Sequence, residues 1–309
     1  MSPPIRSWLP AYLVLALIWG GSFYFMKLGL VALSPAGVAL SRLVLGLGTM
    51  LVISLLTRTH LPPRWSWGPL FVAGLLMTSV PWLLFAYGEQ HVSSALAGII
   101  NGATPLMTLA AILLVFPEER PTRQRVVGLA LGFAGVLVVM GVWQGLGAAT
   151  WLGIAACTVA IGCYGFSFPY VRRRLATGSQ TRSIAPIALA TGLMVMGTLQ
   201  ALPMVAVGGF AHAPIGLGTV LGMLALGCLG SGIAYVLNFR VIARADATTA
   251  STVTYLTPLV AVVAGAVLLD EQVTWNQPLG GVLIVAGAAI AQGLLWPRRA
   301  AIRRPPVDG

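Results

Sequence analysis

The chain has 309 residues, of which 58% are apolar and only 8% are charged, and its net charge is +11. A soluble domain usually carries about 25% charged residues, so a water-soluble fold is excluded and lipid must be the solvent for most of this surface. The basic residues stand in short clusters between apolar runs and form no single patch, which argues against a nucleic-acid partner and is the pattern produced by membrane topology.

Ten apolar runs follow one another along the chain, each long enough to cross a hydrocarbon core about 30 Å thick as a helix. They cover residues 10–29, 36–56, 67–88, 94–115, 125–143, 151–171, 184–206, 216–238, 248–268 and 278–296. None alternates as a barrel strand would, so the sequence predicts an all-α integral membrane protein whose main partner is the lipid bilayer. The first run is too long for a signal-peptide core, and we expect it to be retained.

The basic residues between these runs are distributed unequally. Of the 18 Lys and Arg residues, only Lys27 and Arg42 lie in the interior of a run, and the other sixteen lie in the loops or at the run ends on the side of the N-terminus. Basic loops stay in the cytoplasm. The sequence therefore predicts a multi-pass protein of the cell inner (plasma) membrane with both termini cytoplasmic. The same alternation supports ten helices, because one missed helix would scramble it.

Two motifs of the first half return in the second. The stretch Trp19–Lys27, WGGSFYFMK, is matched 145 positions later by Tyr164–Arg172, YGFSFPYVR, in which Gly, Ser and Phe are identical. Thr104-Pro105-Leu106 is matched 153 positions later by Thr257-Pro258-Leu259. The second shift also pairs Trp82 with Tyr235 and Glu118 with Glu271.

Each half therefore holds five predicted helices, and an odd number places the second half upside down relative to the first, as in many secondary transporters. We predict a first five-helix repeat over residues 1–148, an inverted second repeat over 149–297 and a basic cytoplasmic tail over 298–309. Small residues predict close helix contacts, within one chain or between two, at Gly128, Gly132, Gly135, Gly281 and Gly287. The chain is accordingly a monomer or a homodimer.

These features together resemble the drug/metabolite transporter superfamily, EamA type. The resemblance rests on the Trp-Gly-Gly-Ser-Phe motif ending in Lys27, on Arg42, on the central Pro105 and Pro258, and on acidic residues after the fourth and ninth helices. It implies a bundle of ten helices, built as two inverted five-helix repeats, that moves small metabolites, often outward. The sixth helix departs from the pattern, since Phe166 replaces the second glycine and Pro169 is inserted.

The two matched prolines lie near the middle of their predicted helices. A proline removes one backbone hydrogen bond and frees a carbonyl, which lipid cannot satisfy. Helices broken at matching places in two repeats indicate a transport site, while a simple packing kink is the alternative for either proline alone.

Polar and aromatic residues near these prolines share helix faces and could line a cavity for a small amphipathic substrate. The hydroxyls could equally bond only their own helix, and the aromatic residues could be ordinary core. The candidate substrate-binding residues are Trp19, Ser22, Phe23, Trp82, Asn101, Thr104, Pro105, Tyr164, Phe168, Tyr235, Thr254, Tyr255 and Pro258.

The ionisable residues lie close to helix ends. Lys27 and Arg42 can reach an interface with their long side chains, so we expect structural roles for both. Glu89 and His91 could form a proton relay, but solvation at a helix end is the expectation, as it is for the loop carboxylates Glu118, Glu119, Asp270 and Glu271. We expect no catalytic residues, no metal, no cofactor and no enzyme activity, since no set of residues for such chemistry is clustered in the helices.

The predicted function is a secondary transporter or facilitator that alternates between two open forms around a site at the midplane. Family resemblance makes exported amino acids the first expectation for its small-molecule substrate. Efflux of drug-like compounds, sugars or nucleosides is the alternative, followed by a channel or a membrane scaffold. Coupling to protons stays open at this point.

Overall fold

A computed structural model describes residues 8–115, 123–140, 143, 148–176, 184–244, 253–291 and 295. Across these residues the chain is almost entirely helical, apart from loops and an isolated bridge between Leu33 and Ala211. This confirms the predicted all-α membrane fold. The basic tail predicted at 298–309 lies outside the described residues.

The first repeat supplies five spans from seven α-helices. Its helices are α1 Leu9–Leu30, α2 Pro35–Leu56, α3 Trp67–Gly74, α4 Val80–Gly88, α5 Ser94–Gly102, α6 Thr104–Val115 and α7 Arg123–Met140. A 3-10 turn, Arg64–Ser66, precedes α3, and a π-helical segment, Leu75–Ser79, joins α3 to α4. These four segments form the third span, Arg64–Gly88. The helices α5 and α6 form the fourth span.

The second repeat supplies the other five spans. Its helices are α8 Ala148–Val171, α9 Pro186–Gly208, α10 Leu217–Leu224, α11 Ala234–Arg244, α12 Val253–Leu268 and α13 Asn276–Ala291. A π-helical turn, Arg172–Ala176, follows α8, and a π-helical segment, Ala225–Ile233, joins α10 to α11 in the eighth span.

Seven of the ten spans are, within the described residues, long and apolar enough to cross a membrane, and α7, α12 and α13 are the shorter three. Large apolar side chains stay exposed on them: Leu55, Leu56 and Val207 are 78%, 79% and 93% exposed. Water would oppose such a surface, whereas the hydrocarbon core of a bilayer is its natural solvent.

Local signals explain where several helices begin and end. The Ser34 hydroxyl accepts a hydrogen bond from the Gly37 N–H and caps α2, whose first residue is Pro35. A proline is favoured there because the first N–H groups of a helix have no partner inside it. Gly209 follows α9 with a φ of +73°, a conformation that glycine adopts without strain.

The fourth and ninth spans differ although both carry a Thr-Pro pair. The fourth span breaks at Ala103, immediately before α6, whereas α12 continues through Pro258 as one helix. The expectation of two broken helices is therefore wrong for the ninth span. In both spans the threonine before the proline replaces the missing hydrogen bond: Thr104 Oγ1 donates to the Asn101 carbonyl over 2.7 Å, and Thr257 Oγ1 to the Thr254 carbonyl over 2.9 Å.

The same hydrogen bonds correct the idea that these prolines leave carbonyls free for a substrate. A proline N–H would have bonded the carbonyl four residues earlier, which is residue 101 for Pro105 and residue 254 for Pro258. The threonine hydroxyls occupy both carbonyls. The prolines therefore shape the two spans without offering unsatisfied oxygens.

Glycines allow the spans to approach closely. A Cβ atom at position 102 would lie 2.5 Å from Pro258 Cγ, so the fourth and ninth spans cross in contact at the centre of the bundle. The fifth and tenth spans meet in the same way, since a Cβ at Gly287 would lie 2.5 Å from the Gly132 nitrogen. The predicted small-residue contact between those two spans is confirmed and forms within one chain.

Candidate functional site

A cavity of about 200 Å³ lies among the first, second, third, fourth, sixth, eighth and ninth spans. Aromatic residues are the most frequent type in its walls, which also contain amides, hydroxyls and one arginine. The lining residues are Trp19, Ser22, Phe23, Met26, Arg42, Met77, Trp82, Phe85, Asn101, Thr104, Tyr164, Phe168, Gly230, Tyr235, Asn238, Thr254 and Thr257. This volume is below the roughly 300–1,000 Å³ of pockets for drug-sized ligands and fits a smaller molecule.

Ten of the thirteen candidate residues meet in this cavity. Pro105 and Pro258 do not line it: Pro258 instead packs against Gly102. The helical backbone at Tyr255 is described, but its side chain lies outside the described part of the structure. Substrate binding by these ten residues stays a prediction. Because they all line one cavity, the prediction now refers to a single defined site.

The lining residues come in pairs related by the repeat. The shift of 145 pairs Trp19 with Tyr164 and Phe23 with Phe168. The shift of 153 pairs five further lining residues with their counterparts: Met77 with Gly230, Trp82 with Tyr235, Phe85 with Asn238, Asn101 with Thr254 and Thr104 with Thr257. Seven positions of each repeat therefore face the same cavity. Thr257 was absent from the sequence-based candidates although the shift from Thr104 indicates it.

Two π-helical segments flank the cavity at equivalent places. Moved by 153 positions, Leu75–Ser79 of the third span falls within Ala225–Ile233 of the eighth. Met77 from the first segment and Gly230 from the second line the cavity, and the Gly230 carbonyl accepts a hydrogen bond from Trp19 Nε1 over 3.3 Å. Such segments are rare and frequently occur at functional sites. Hydrophobic periodicity gave no signal for them.

Arg42 was expected to reach an interface, and this is wrong. Its side chain is only 8% exposed and points into the cavity. Nε donates a hydrogen bond over 2.9 Å to the Ser231 hydroxyl in the second π segment, and Cζ lies 3.8 Å from the ring centroid of Trp82. Partners 189 and 40 residues away along the chain hold the guanidinium, so local sequence carried no indication of them.

Tertiary hydrogen bonds tie together one end of the bundle, which we name the Lys27 end and define by the loops 31–34, 89–93, 209–216 and 269–275. Lys27 Nζ donates to the carbonyls of Glu89 and Val92. The Glu271 carboxylate accepts from the N–H groups of Ser94 and Ala95, the first residues of α5, over 2.8 and 3.0 Å. The positive end of a helix dipole stabilises a carboxylate there.

Apolar residues close the cavity below these contacts. Phe23 and Phe85 meet edge to face with centroids 5.7 Å apart, and they share a buried cluster with Met26, Val92 and Leu96. The cavity is thus covered toward the Lys27 end, while Asn238 and Phe168 line its other part.

Of the two carboxylates at the Lys27 end, Glu89 contradicts the expectation of solvation, whereas Glu271 is a half-buried helix cap. Glu89 is 0% exposed, and neither of its carboxylate oxygens has a hydrogen-bond partner among the described residues. Nε2 of His91 is buried and unpartnered in the same sense. Burying a charged carboxylate without a partner is energetically costly, so Glu89 is in an unusual environment. Its position in the sequence did not indicate this burial. Glu118 and Glu119 lie outside the described residues.

A larger groove of about 750 Å³ runs along the outside of the sixth span. Val159 and Phe166, 55% and 46% exposed, line it together with Thr158 and Cys163, and Arg173 and Arg174 stand at one end. Its exposed apolar walls face the lipid side, and it lacks the paired residues of the two repeats. The smaller cavity is therefore the candidate site.

Comparisons with known proteins agree with this architecture. The model of the EamA-like transporter family matches residues 6–141 and again residues 151–292, one copy in each half. An uncharacterized transporter of Archaeoglobus fulgidus is 26% identical over 290 residues, which cover 90% of this chain and 97% of that protein. A solved crystal structure superposes with a TM-score of 0.64 at 18% identity, over 92% of this chain and 98% of the other, and shows the same fold.

Two further relatives have more informative names. A probable terminal-alkyne amino-acid exporter of Streptantibioticus cattleyicolor is 27% identical over 292 residues, which cover 93% of this chain and 94% of the exporter. The uncharacterized inner membrane transporter YedA of Escherichia coli strain K12 is 27% identical over 299 residues, covering 94% of this chain and 92% of that protein.

Proposed function

The chain belongs to the EamA-like transporter family, and from this premise we propose that it is a secondary transporter that exports small metabolites, amino acids first among them. It would work by alternating access across the inner membrane, with both termini in the cytoplasm. The coarser conclusion, a membrane transporter of the drug/metabolite type, follows from the family itself.

The observation that carries the proposal is the set of seven repeat-related residue pairs around one cavity. In transporters with inverted repeats the substrate site lies near the midplane where the repeats meet, and one repeat rocks against the other around it. A site built from equivalent residues of both halves can contact a substrate in both the inward-open and the outward-open form, because the two halves swap conformations between these forms. The crossing of Gly102 against Pro258 supports this placement, since it joins the halves beside the cavity.

The asymmetry of the arginines predicts which end of the cavity faces outward. If the arginine-rich side is cytoplasmic, the Lys27 end faces outward. The hydrogen bonds of Lys27 and Glu271 then close the cavity toward the outside, and the described conformation is the one that loads substrate from the cytoplasm.

Cavity size and wall chemistry support a small amphipathic substrate. Aromatic side chains offer apolar and cation-binding faces, and the amides of Asn101 and Asn238 offer donors and acceptors. The volume of about 200 Å³ disfavours bulky drug-like compounds. The name of the Streptantibioticus relative, a probable terminal-alkyne amino-acid exporter, points to the same class.

Uptake by proteoliposomes tests the proposal. Purified protein is reconstituted and given labelled amino acids, nucleosides and sugars, with and without a pH gradient, against protein-free liposomes. We expect saturable movement of amino acids, and a rate that is independent of the gradient if transport is facilitated diffusion. Movement of sugars or nucleosides alone would replace the amino-acid assignment, and no movement by folded protein would contradict transport of these classes.

A matched pair of variants links that movement to the cavity. Asn101→Ala removes an amide from the cavity wall, whereas Thr158→Ala removes a polar group from the outer groove. We expect Asn101→Ala to reduce transport and Thr158→Ala to leave it unchanged, with both proteins inserted. Equal transport by the two variants would contradict the site.

A further inference from the structure

We propose that Arg42 selects the substrate by binding a carboxylate inside the cavity, so that the transported molecules are small monocarboxylates, zwitterionic amino acids included. This inference rests on the proposed function and adds to it the chemical group that is recognised and the residue that recognises it.

The position of Arg42 is the first argument. It is the eighth residue of α2, about 10 Å along the helix from its start. The side chain is 8% exposed and lines the cavity. An ionisable group at this depth is costly and marks a functional position unless a partner explains it.

The missing counter-charge is the second argument. Among the described residues Arg42 forms no ion pair, and its only hydrogen bond runs from Nε to the Ser231 hydroxyl. The residues that line the cavity include no aspartate and no glutamate. The buried Glu89 carboxylate interacts electrostatically with Arg42, but it forms no ion pair with it among the described residues and does not line the cavity. A buried cation that has no anion in contact with it is stabilised when a ligand supplies one.

The geometry of the guanidinium is the third argument. Ser231 fixes the Nε side, and the Trp82 ring lies 3.8 Å from Cζ, so both the rotation and the plane of the group are set. Neither Nη atom donates a hydrogen bond to a described residue. Two Nη donors held in a fixed plane match the two oxygens of a carboxylate, and this pairing is the stronger, bidentate kind.

The rest of the cavity defines the remainder of the ligand. Trp19, Tyr164 and Tyr235 provide apolar faces for a compact side chain. The side-chain amides of Asn101 and Asn238 have no hydrogen-bond partner among the described residues and could accept from an α-ammonium group. The positive charge in the wall repels cationic drugs, which separates this proposal from cation efflux.

The test compares each amino acid with its amide, which lacks the carboxylate and is otherwise the same shape. The probes are L-leucine with L-leucinamide, L-phenylalanine with L-phenylalaninamide, and L-threonine with L-threoninamide. Each competes with the labelled amino acid that moves in the proteoliposome assay. We expect the acids to compete about tenfold or more better than the amides, the factor given by one charge-assisted contact.

Variants of Arg42 identify the residue responsible. In Arg42→Gln the preference for the acid should fall to about twofold or less, because the charge and the fork are both lost. Arg42→Lys keeps the charge without the fork and should give an intermediate preference. A purely structural arginine would lower acid and amide competition together and leave their ratio unchanged.

The outcomes separate the two proposals. If no amino acid moves, the proposed function fails. If amino acids move but amides compete as well as acids in the unaltered protein, or if Arg42→Gln keeps the acid preference, the role of Arg42 is overturned. Should Arg42→Gln fail to fold, the comparison of acid and amide in the unaltered protein still decides, and Ser231→Ala, which frees only the Nε side, should weaken the preference in a folded protein.

Discussion

The two repeats build the same cavity wall with different chemistry. Aromatic residues and hydroxyls line the cavity in pairs related by the repeat, as Trp82 does with Tyr235 and Thr104 with Thr257. The charge has no such counterpart: Arg42 stands in the second span, while the seventh span, Pro186–Gly208, contains no charged residue. The residues that the two repeats share form the walls of the cavity. Arg42 has no counterpart in the second repeat, and we propose that it gives the cavity a preference for carboxylates.

The fourth and ninth spans show the same contrast in their backbones. The fourth span interrupts its helix at Ala103, whereas the ninth keeps one helix through Pro258, although each Thr-Pro pair satisfies its carbonyl alike. A proline thus permits a break without imposing one, and the surroundings decide. The variants below test what each repeat contributes, beginning with the largest expected effect.

The crossing of the two proline spans is the point where they depend on each other most. Gly102→Val places atoms where Pro258 Cγ already lies 2.5 Å from the Cβ position. We expect a loss near the upper end of the roughly 1–3 kcal/mol typical of overpacking, seen as a lower thermal unfolding midpoint in detergent. Gly48→Val is the control, since a Cβ there meets nothing within 4 Å. Equal unfolding midpoints for the two variants would contradict the close contact between Gly102 and Pro258.

Threonine-to-valine variants test the difference between the interrupted fourth span and the continuous ninth span. Thr257→Val leaves the Thr254 carbonyl without its hydroxyl donor inside a continuous helix, and we expect a loss of about 1–3 kcal/mol, the range for an unsatisfied buried group. Thr104→Val should lose less, because the break at Ala103 lets the Asn101 carbonyl adjust.

Thr158→Val serves as the reference in the same unfolding measurement. Its hydroxyl bonds the Ile154 carbonyl, which the helix already satisfies with a backbone N–H, so its removal should be nearly neutral. A Thr104→Val protein less stable than Thr257→Val would reverse the proposed difference between the spans.

The smallest expected effect concerns the cap by which the second repeat holds the first. Glu271→Ala removes the acceptor for the first two N–H groups of α5, and we expect a loss of about 0.5–2 kcal/mol, as for other helix caps. Asp270→Asn is the control, because Asp270 is exposed and no hydrogen bond to it occurs among the described residues. Proteolysis in the 89–93 loop should rise in Glu271→Ala alone. Unchanged cleavage would show that the Glu271 cap does not contribute to closing the Lys27 end.

Much of the fold was predictable because it depends on local composition and on repetition. Apolar length identified the spans, and two constant shifts related Trp19 to Tyr164 and Trp82 to Tyr235, the same pairs that meet in the cavity. Membrane helices allow this success since lipid favours the same composition along each span. The exact boundaries of the two repeats stay predictions.

The failures concern groups whose environment is set by distant parts of the chain. Arg42 bonds Ser231 of the eighth span, and Glu89 is fully buried by the spans around it. For both, a position near a helix end predicted contact with an interface or with water, and tertiary packing removed that contact. Asn238 was missed because nothing in its immediate sequence distinguishes it from an ordinary helical amide.

The two π-helical segments are places where the sequence can be shortened by one residue. A hydrogen bond to the fifth residue encloses one residue more than the α-helical bond to the fourth, so Leu75–Ser79 holds a spare residue. Deleting one residue there would let the segment close as an α-helix while α4 keeps its face toward the cavity. The same deletion within α3 or α9 would turn everything beyond it by about 100°. Deletions among relatives should therefore gather at the π segments, where the chain can lose a residue without losing its helical register.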